Sequence, residues 1–167
     1  MTTPNSSQQS GLAGEVGKVD AFEMREQEAY LNLVRTMSVL SRDYTVLFKS
    51  FGISDPQYNA MRIIASAGKA GVRMEVIGER MVAHDPDTTR LVNRLLKAGY
   101  VEKEQLANDK RCSVVRMTDE GRTLLRKLRK KVDGLHASQL GHMSDSELER
   151  LNELLVKART QDDPTED

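Results

Sequence analysis

DPDTTRLVNRLLKAGYVEKEQLANDKRCSVVRMTDEG, residues 85–121, decides the fold, because its periodicity changes twice within one short span. Asp85 offers a side-chain acceptor to the free N–H groups of a helix start, and Pro86 loses nothing at a first helical position. Leu91, Leu95 and Ala98 then share one helical face, and Gly99 supplies a stop, so the spacing predicts a helix over Pro86–Ala98. From Tyr100 the period falls to two. Tyr100–Gln105 and Cys112–Met117 read as short strands joined by Leu106-Ala107-Asn108-Asp109-Lys110-Arg111, a polar loop of hairpin character. Thr118 then caps a new helix, with Asp119 and Glu120 where the positive end of the helix dipole favours carboxylates.

Working outward, a short helix precedes this stretch at about Arg73–Met81, with Met74, Ile77 and Met81 on one side, after a turn at Gly68–Gly71. Ser54 and Gln57 have capping-box spacing with Pro56 in the first turn, and the helix they open carries Tyr58, Met61, Ile64 and Ala65 inward. Before Gly52, Tyr30, Leu33, Met37, Leu40, Tyr44, Leu47 and Phe51 recur at alternating steps of three and four along one helix, Asp20–Lys49. A stripe this long in a small chain is expected to pack partly on a second subunit. Downstream, Leu124, Leu125, Leu128, Val132 and Leu135 continue one helix. Ser144 with Glu147 forms another capping box, opening a helix with Leu148, Leu151, Leu154, Leu155 and Ala158. The predicted fold is mainly α with a small β-hairpin wing: a winged helix-turn-helix with N- and C-terminal dimerisation helices. The expected divisions are a disordered arm at 1–19, an N-terminal dimerisation helix at 20–50, the winged unit at 51–118, C-terminal dimerisation helices at 119–161 and a disordered tail at 162–167.

Composition agrees. A chain of 167 residues with 4% aromatics, no Trp and eight Met suits one largely helical domain with free ends. No apolar run approaches the roughly 20 residues of a bilayer span and the first residues lack a signal pattern, so a cytoplasmic protein is expected. Formal net charge is zero, yet between Gly68 and Lys131 there are 16 Lys or Arg against 9 Asp or Glu, an excess of seven cations balanced by acidic ends. A basic centre with acidic flanks suits a nucleic-acid partner.

The residues that could meet such a partner lie on the second helix and the wing. Thr88, Thr89, Arg90, Asn93, Arg94 and Lys97, with Asp87, occupy the side opposite Leu91 and Leu95. Arg grips guanine with paired bonds, Asn does so for adenine, and Thr and Lys reach base edges or phosphates. Taken alone, this is also the ordinary wet face of an amphipathic helix. The wing adds Lys110 and Arg111 on a projecting loop, where Arg profits from the negative potential of a narrow minor groove. Asp109 suits the task of holding Arg111 in one direction.

Asp109-Lys110-Arg111, then five residues, then Met117-Thr118-Asp119-Glu120-Gly121, resembles the wing-to-helix signature of the MarR (multiple antibiotic resistance regulator) family, Asp-x-Arg followed by Leu-Thr-x-x-Gly. Met117 replaces Leu with a similar-sized apolar residue. Thr88–Leu95 and Gly99–Lys103 also look like that family's recognition helix running into its wing. The resemblance covers about Ala21–Arg159. It implies a homodimeric transcriptional repressor whose terminal helices intertwine and whose two wings read a pseudo-palindromic operator in double-stranded DNA. It also implies that Arg111 is the minor-groove finger, Asp109 its orienter, and Thr88, Thr89, Arg90 and Arg94 a major-groove set. A small aromatic or phenolic effector is the partner it implies for release, with Tyr30, Tyr44, Phe48, Phe51 and Tyr58 as its lining. Read from spacing alone, these aromatics are ordinary core.

The alternative of a winged helix used for protein contact predicts an apolar or acidic recognition helix and a wing without Arg, the reverse of what stands here. An enzyme would need a nucleophile with a base, a metal cluster or a phosphate-cradling glycine loop, and none is arranged here. No cofactor or metal is expected from His84, His136 and His142. Cys112, a lone thiol without a resolving partner, reads as a passive wing residue.

Overall fold

The computed structural model describes residues 11–17, 20, 22–83, 87–106 and 109–160, with the backbone alone for 106 and 109–112. The described residues fall into two compact units, divided between Phe51 and Gly52.

In the first unit, α1 (Leu12–Glu15) precedes α2 (Arg25–Ser50). The long helix expected from Asp20 starts at Arg25, with Glu26 and Glu28 in its first turn where the dipole favours them. Part of the segment read as a disordered arm is structured: Leu12 is buried, α1 packs on α2, and Glu15 pairs with Arg35 at 3.5 Å. Removing one leucine from water is the apolar gain that the Ser- and Gln-rich residues beside it cannot supply. Residues 1–10 and 18–19 of that arm, and the tail 162–167, lie outside the described residues. The apolar stripe of α2 is used unevenly. Phe48 is 1% exposed and stacks on Tyr44 with ring centroids 6.3 Å apart, whereas Tyr30 and Met37 are 66% and 61% exposed.

The second unit runs α3 (Asp55–Ser66), a 3-10 turn (Gly68–Ala70), β1 (Val72–Arg73), α4 (Met74–Glu79), α5 (Thr88–Lys97), β2 (Val101–Leu106), β3 (Asp109–Met117), α6 (Asp119–Leu140) and α7 (Asp145–Arg159). The Ser54 capping box forms as its spacing predicts: Gln57 N donates to Ser54 Oγ at 3.4 Å and Ser54 N to Gln57 Oε1 at 2.8 Å. Met61, Ile64, Ile77, Val92, Leu95, Val115 and Leu128 are wholly buried, so α3, α4, α5, β3 and α6 share one core. Each such side chain contributes about 1.5–3 kcal/mol by leaving water.

The sheet is antiparallel in the order β1-β3-β2. β1 was not expected, because two residues are too few to show alternation; it pairs Val72 with Val115 and Arg73 with Val114. Arg73 therefore belongs to the sheet, and the short helix starts one residue later than its pattern suggests. β3 reaches back to Asp109, into what reads as loop, leaving only residues 107 and 108 between the strands. Its register runs from Val101–Met117 to Gln105–Ser113 and then shifts, with Leu106 opposite Asp109. That irregularity takes up the extra residues on β3 as a bulge does.

The predicted start of α5 also moves. Asp87, not Asp85, is the N-cap, its carboxylate accepting from Arg90 N at 3.2 Å; Asp85 and Pro86 lie outside the described residues. At the other end Ala98 is an exposed C-cap rather than an inward residue. Gly99 takes φ 74, and Gly99 N and Tyr100 N bond Leu96 O and Leu95 O, a Schellman closure that turns the chain into β2.

α6 leaves the sheet through one tight crossing. Thr118 N donates to Tyr100 O at 3.1 Å, Thr118 Oγ1 donates to Gly99 O at 2.7 Å, and the same hydroxyl accepts from Gly121 N at 3.1 Å. A Cβ on Gly121 would lie 2.0 Å from Tyr100 O, so only glycine lets the first turn of α6 come this close. Gly121→Ala is expected to cost about 2–3 kcal/mol through forced overlap, and Thr118→Ala about 1–2 kcal/mol through the lost cap. Urea unfolding measures both, and a Gly121→Ala protein as stable as its parent would refute the crossing as described.

The Ser144–Glu147 box opens α7 as expected, with Ser144 N donating to Glu147 Oε2 at 2.8 Å. That backbone bond, then the Ser144 hydroxyl, holds the Glu147 carboxyl below its ordinary value of 4.5. Because the folded value is the lower one, the box stabilises α7 above pH 4.5 and is lost as pH falls through the depressed value. In an NMR titration Glu147 should ionise below 4.5 and move up in Ser144→Ala, which keeps the backbone donor but not the hydroxyl. A Glu147 that titrates at its ordinary value in the parent protein would contradict the box.

Candidate nucleic-acid interface

α4 and α5 meet where Gly78 faces Thr88: a Cβ on Gly78 would lie 3.5 Å from Thr88 Oγ1, ordinary contact distance. Thr88 is thus half-buried and turned to α4. The phase of α5 explains why. Leu91, Val92 and Leu95 are buried and follow Thr88 at the three-, four- and seven-residue offsets that define one helical face. The remaining predicted residues, Thr89, Arg90, Asn93, Arg94 and Lys97, are all exposed on the opposite side. They form a polar strip with three cations over little more than two turns.

Asp87 anchors this strip at its start. Besides capping α5, its carboxylate lies 3.5 Å from Arg90 Nη1, leaving both side chains more than half exposed. At this separation and exposure the pair holds Arg90 only weakly. Among the described residues Arg94 and Lys97 make no ion pair. Arg90, Leu91 and Arg94 also face Ser54, Pro56 and Gln57 at the start of α3 across a shallow cleft of about 280 Å³.

The wing projects from the same unit. Asp109, Lys110 and Arg111 sit consecutively on β3, opposite the end of β2, and Cys112 follows; their side chains lie outside the described residues. Lower in the wing, Glu102, Lys103 and Glu104 are exposed on β2. Glu104 forms an ion pair with Arg116 of β3, a contact that sequence reasoning missed. Arg116 Nε also donates to Lys69 O at 2.8 Å.

Of the aromatics that the resemblance implies for an effector, Tyr30, Tyr44, Phe48 and Phe51 belong to the first unit and Tyr58 to the second. Tyr44 and Phe48 form the stacked pair on α2, with Phe51 half-buried one turn on. Tyr30 lies on the same helix about 21 Å before Tyr44 by helical rise. Tyr58 is buried in the second unit with the Arg62 guanidinium 6.0 Å from its ring, and burial raises its phenol above the ordinary range while Arg62 opposes that shift. Burial likewise raises the Asp55 carboxyl at the start of α3. Among the described residues no His, Cys, Asp and Glu gather as metal ligands, and no helix is long and apolar enough to cross a membrane.

The sequence profile of the MarR family matches residues 51–111, from the end of α2 into the wing. The HTH-type transcriptional regulator FarR of Neisseria gonorrhoeae is 24% identical over 103 residues, 62% of this chain and 69% of that protein. The fold resembles that of a mutant MarR from E. coli complexed with operator DNA, at 21% identity and TM-score 0.71, covering 84% of this chain and 100% of that one. It also matches the MarR transcription factor of Planctomyces limnophilus with TM-score 0.63, over 81% of this chain and 98% of the other. With 35% identity across nearly the whole of that transcription factor, and with the winged unit itself matched by the family profile, the chain belongs to the MarR family of transcriptional regulators.

Proposed function

We propose that the chain is a repressor that binds a pseudo-palindromic operator in double-stranded DNA as a homodimer. The observation that carries this reading is the outer face of α5. Thr89, Arg90, Asn93, Arg94 and Lys97 stand exposed, opposite Leu91, Val92 and Leu95, so the donors that read base edges occupy a helix locked to the core on its other side. A rigid recognition helix loses little freedom on docking. The operator-bound E. coli relative supports the same use of this fold. In this reading Arg111 enters the minor groove, Asp109 directs it, and Lys110 meets phosphate.

The dimer rests on surface that one chain leaves wet. Tyr30, Leu33, Val34 and Met37 form an exposed apolar patch on α2, and α7 buries no residue at all, with Leu154 and Val156 exposed. Patches of this kind mark association surfaces. Two such chains would present their recognition helices about one DNA turn apart, roughly 34 Å.

Fluorescence anisotropy with duplexes tiling the DNA beside the chain's own gene tests the DNA reading. One near-palindromic duplex should bind two chains with a steep salt dependence, and Arg111→Ala should lose about 1–3 kcal/mol. Arg94→Ala should alter sequence preference, not affinity alone. Weak binding, alike for all duplexes, would overturn it. Separately, sedimentation velocity should show a dimer that Met37→Asp converts to folded monomer, since an unpaired carboxylate is costly in an apolar interface. A parent chain that sediments as a monomer would refute the dimer.

A further inference from the structure

The wing is attached to the helix-turn-helix by little backbone. β1 contributes two residues, and beyond them β2 and β3 continue as a two-stranded ribbon, a form of marginal rigidity by itself. Arg116 stands at the base of that ribbon and is only 24% exposed in its side chain. Its guanidinium joins three elements: it is on β3, it pairs with Glu104 on β2, and its Nε donates to Lys69 O in the 3-10 turn after α3. Glu104 is the diagonal partner, since Glu104 lies opposite Val114 and Arg116 opposite Glu102.

The turn is shaped to receive this side chain. Gly71 has φ 74, and a Cβ there would lie 2.8 Å from Arg116 Cγ and 3.0 Å from Val115 O. The missing side chain is therefore the slot in which the Arg116 stem lies. Only Arg has a planar fork with donors enough to reach a carbonyl and a carboxylate at once; Lys carries the charge at a single point.

We propose that Arg116 is the positioning residue of the wing: by tying β2 and β3 to the turn between α3 and β1, it sets the angle at which the wing tip is held relative to α5. It touches no DNA itself. Its effect on binding rests on the reading of Arg111 given above, while its effect on wing geometry does not.

Two measurements separate these. Electron–electron distance measurements between a spin label on Cys112, the single cysteine of the chain, and one on Glu79→Cys in α4 report wing angle in chains mixed with excess unlabelled protein. The parent should give a narrow distribution, and Arg116→Ala a broad or shifted one. Arg116→Lys should resemble Arg116→Ala, because the charge without the fork cannot span both acceptors. Unchanged distributions overturn the proposal whether or not the chain binds DNA. Anisotropy on the operator duplex then tests the consequence. Arg116→Ala should weaken binding about tenfold, yet by less than about twofold when Arg111 is already Ala, since residues acting through one device are not additive. A merely destabilising change would lower affinity equally in both backgrounds, and that result would overturn the role in binding. If Arg111→Ala binds as tightly as the parent, the wing reading is at fault, and the distance measurement alone decides for or against Arg116.

Discussion

Between the end of α5 and the start of α6 the chain crosses itself, and the crossing is organised around one carbonyl. Tyr100 O accepts from Thr118 N at 3.1 Å and occupies space that any side chain on Gly121 would need. α5 enters this point through its glycine closure, β2 departs from it, β3 returns to it, and α6 leaves it under the Thr118 cap. A shift here would move α5, the wing and α6 together. The Thr-x-x-Gly part of the signature thus has a mechanical meaning: the hydroxyl serves Gly99 O and Gly121 N at once, and the glycine permits the contact that brings them into range.

Electrostatics on the outer face favour exchange over permanent pairing. Arg90 is held by Asp87 at 3.5 Å with both groups largely in water, where such pairs contribute about 0–1 kcal/mol. A phosphate or a base edge can replace that partner at small cost, and Asp87 keeps its bond to Arg90 N meanwhile. The wing differs. Glu102 and Glu104 place negative charge on β2, and Arg116 offsets one of them while bonding to backbone. Among the described residues, Arg90 is thus held weakly enough to exchange its partner, whereas Arg116 is committed to Glu104 and Lys69.

What could be read without coordinates follows from how local each feature is. Both capping boxes, the Thr118 cap and the Gly99 stop depend on residues within four positions of one another, and all form where the spacing puts them. The start of α5 was misplaced because three acceptor-or-proline signals, Asp85, Pro86 and Asp87, crowd into three positions, and spacing cannot rank them. Thr88 was legible in principle: it begins the apolar set that Leu91, Val92 and Leu95 complete, but its polar side chain drew it into the wet face. β1, α1 and the Arg116 bridge were beyond reach. Each depends on a partner far along the chain, as Arg116 does on Lys69, 47 residues away.

The uneven burial of α2 bears on why this helix is so long. Toward the C-terminal end of α2 the stripe is partly covered at Leu40, Tyr44 and Leu47 and Phe48 is almost completely buried, while Tyr30, Leu33 and Met37 are exposed. One uninterrupted stripe therefore meets two different fates, which is the pattern of an element divided between a chain's own packing and an association surface. In the proposed dimer a single patch suffices, because a twofold interface is self-complementary and each chain covers the other with the same residues. Assembly would then cover α2 along its whole length. A duplex carrying two half-sites would engage both chains of the proposed dimer at once, so that two weakly discriminating strips of polar side chains act as one selective reader.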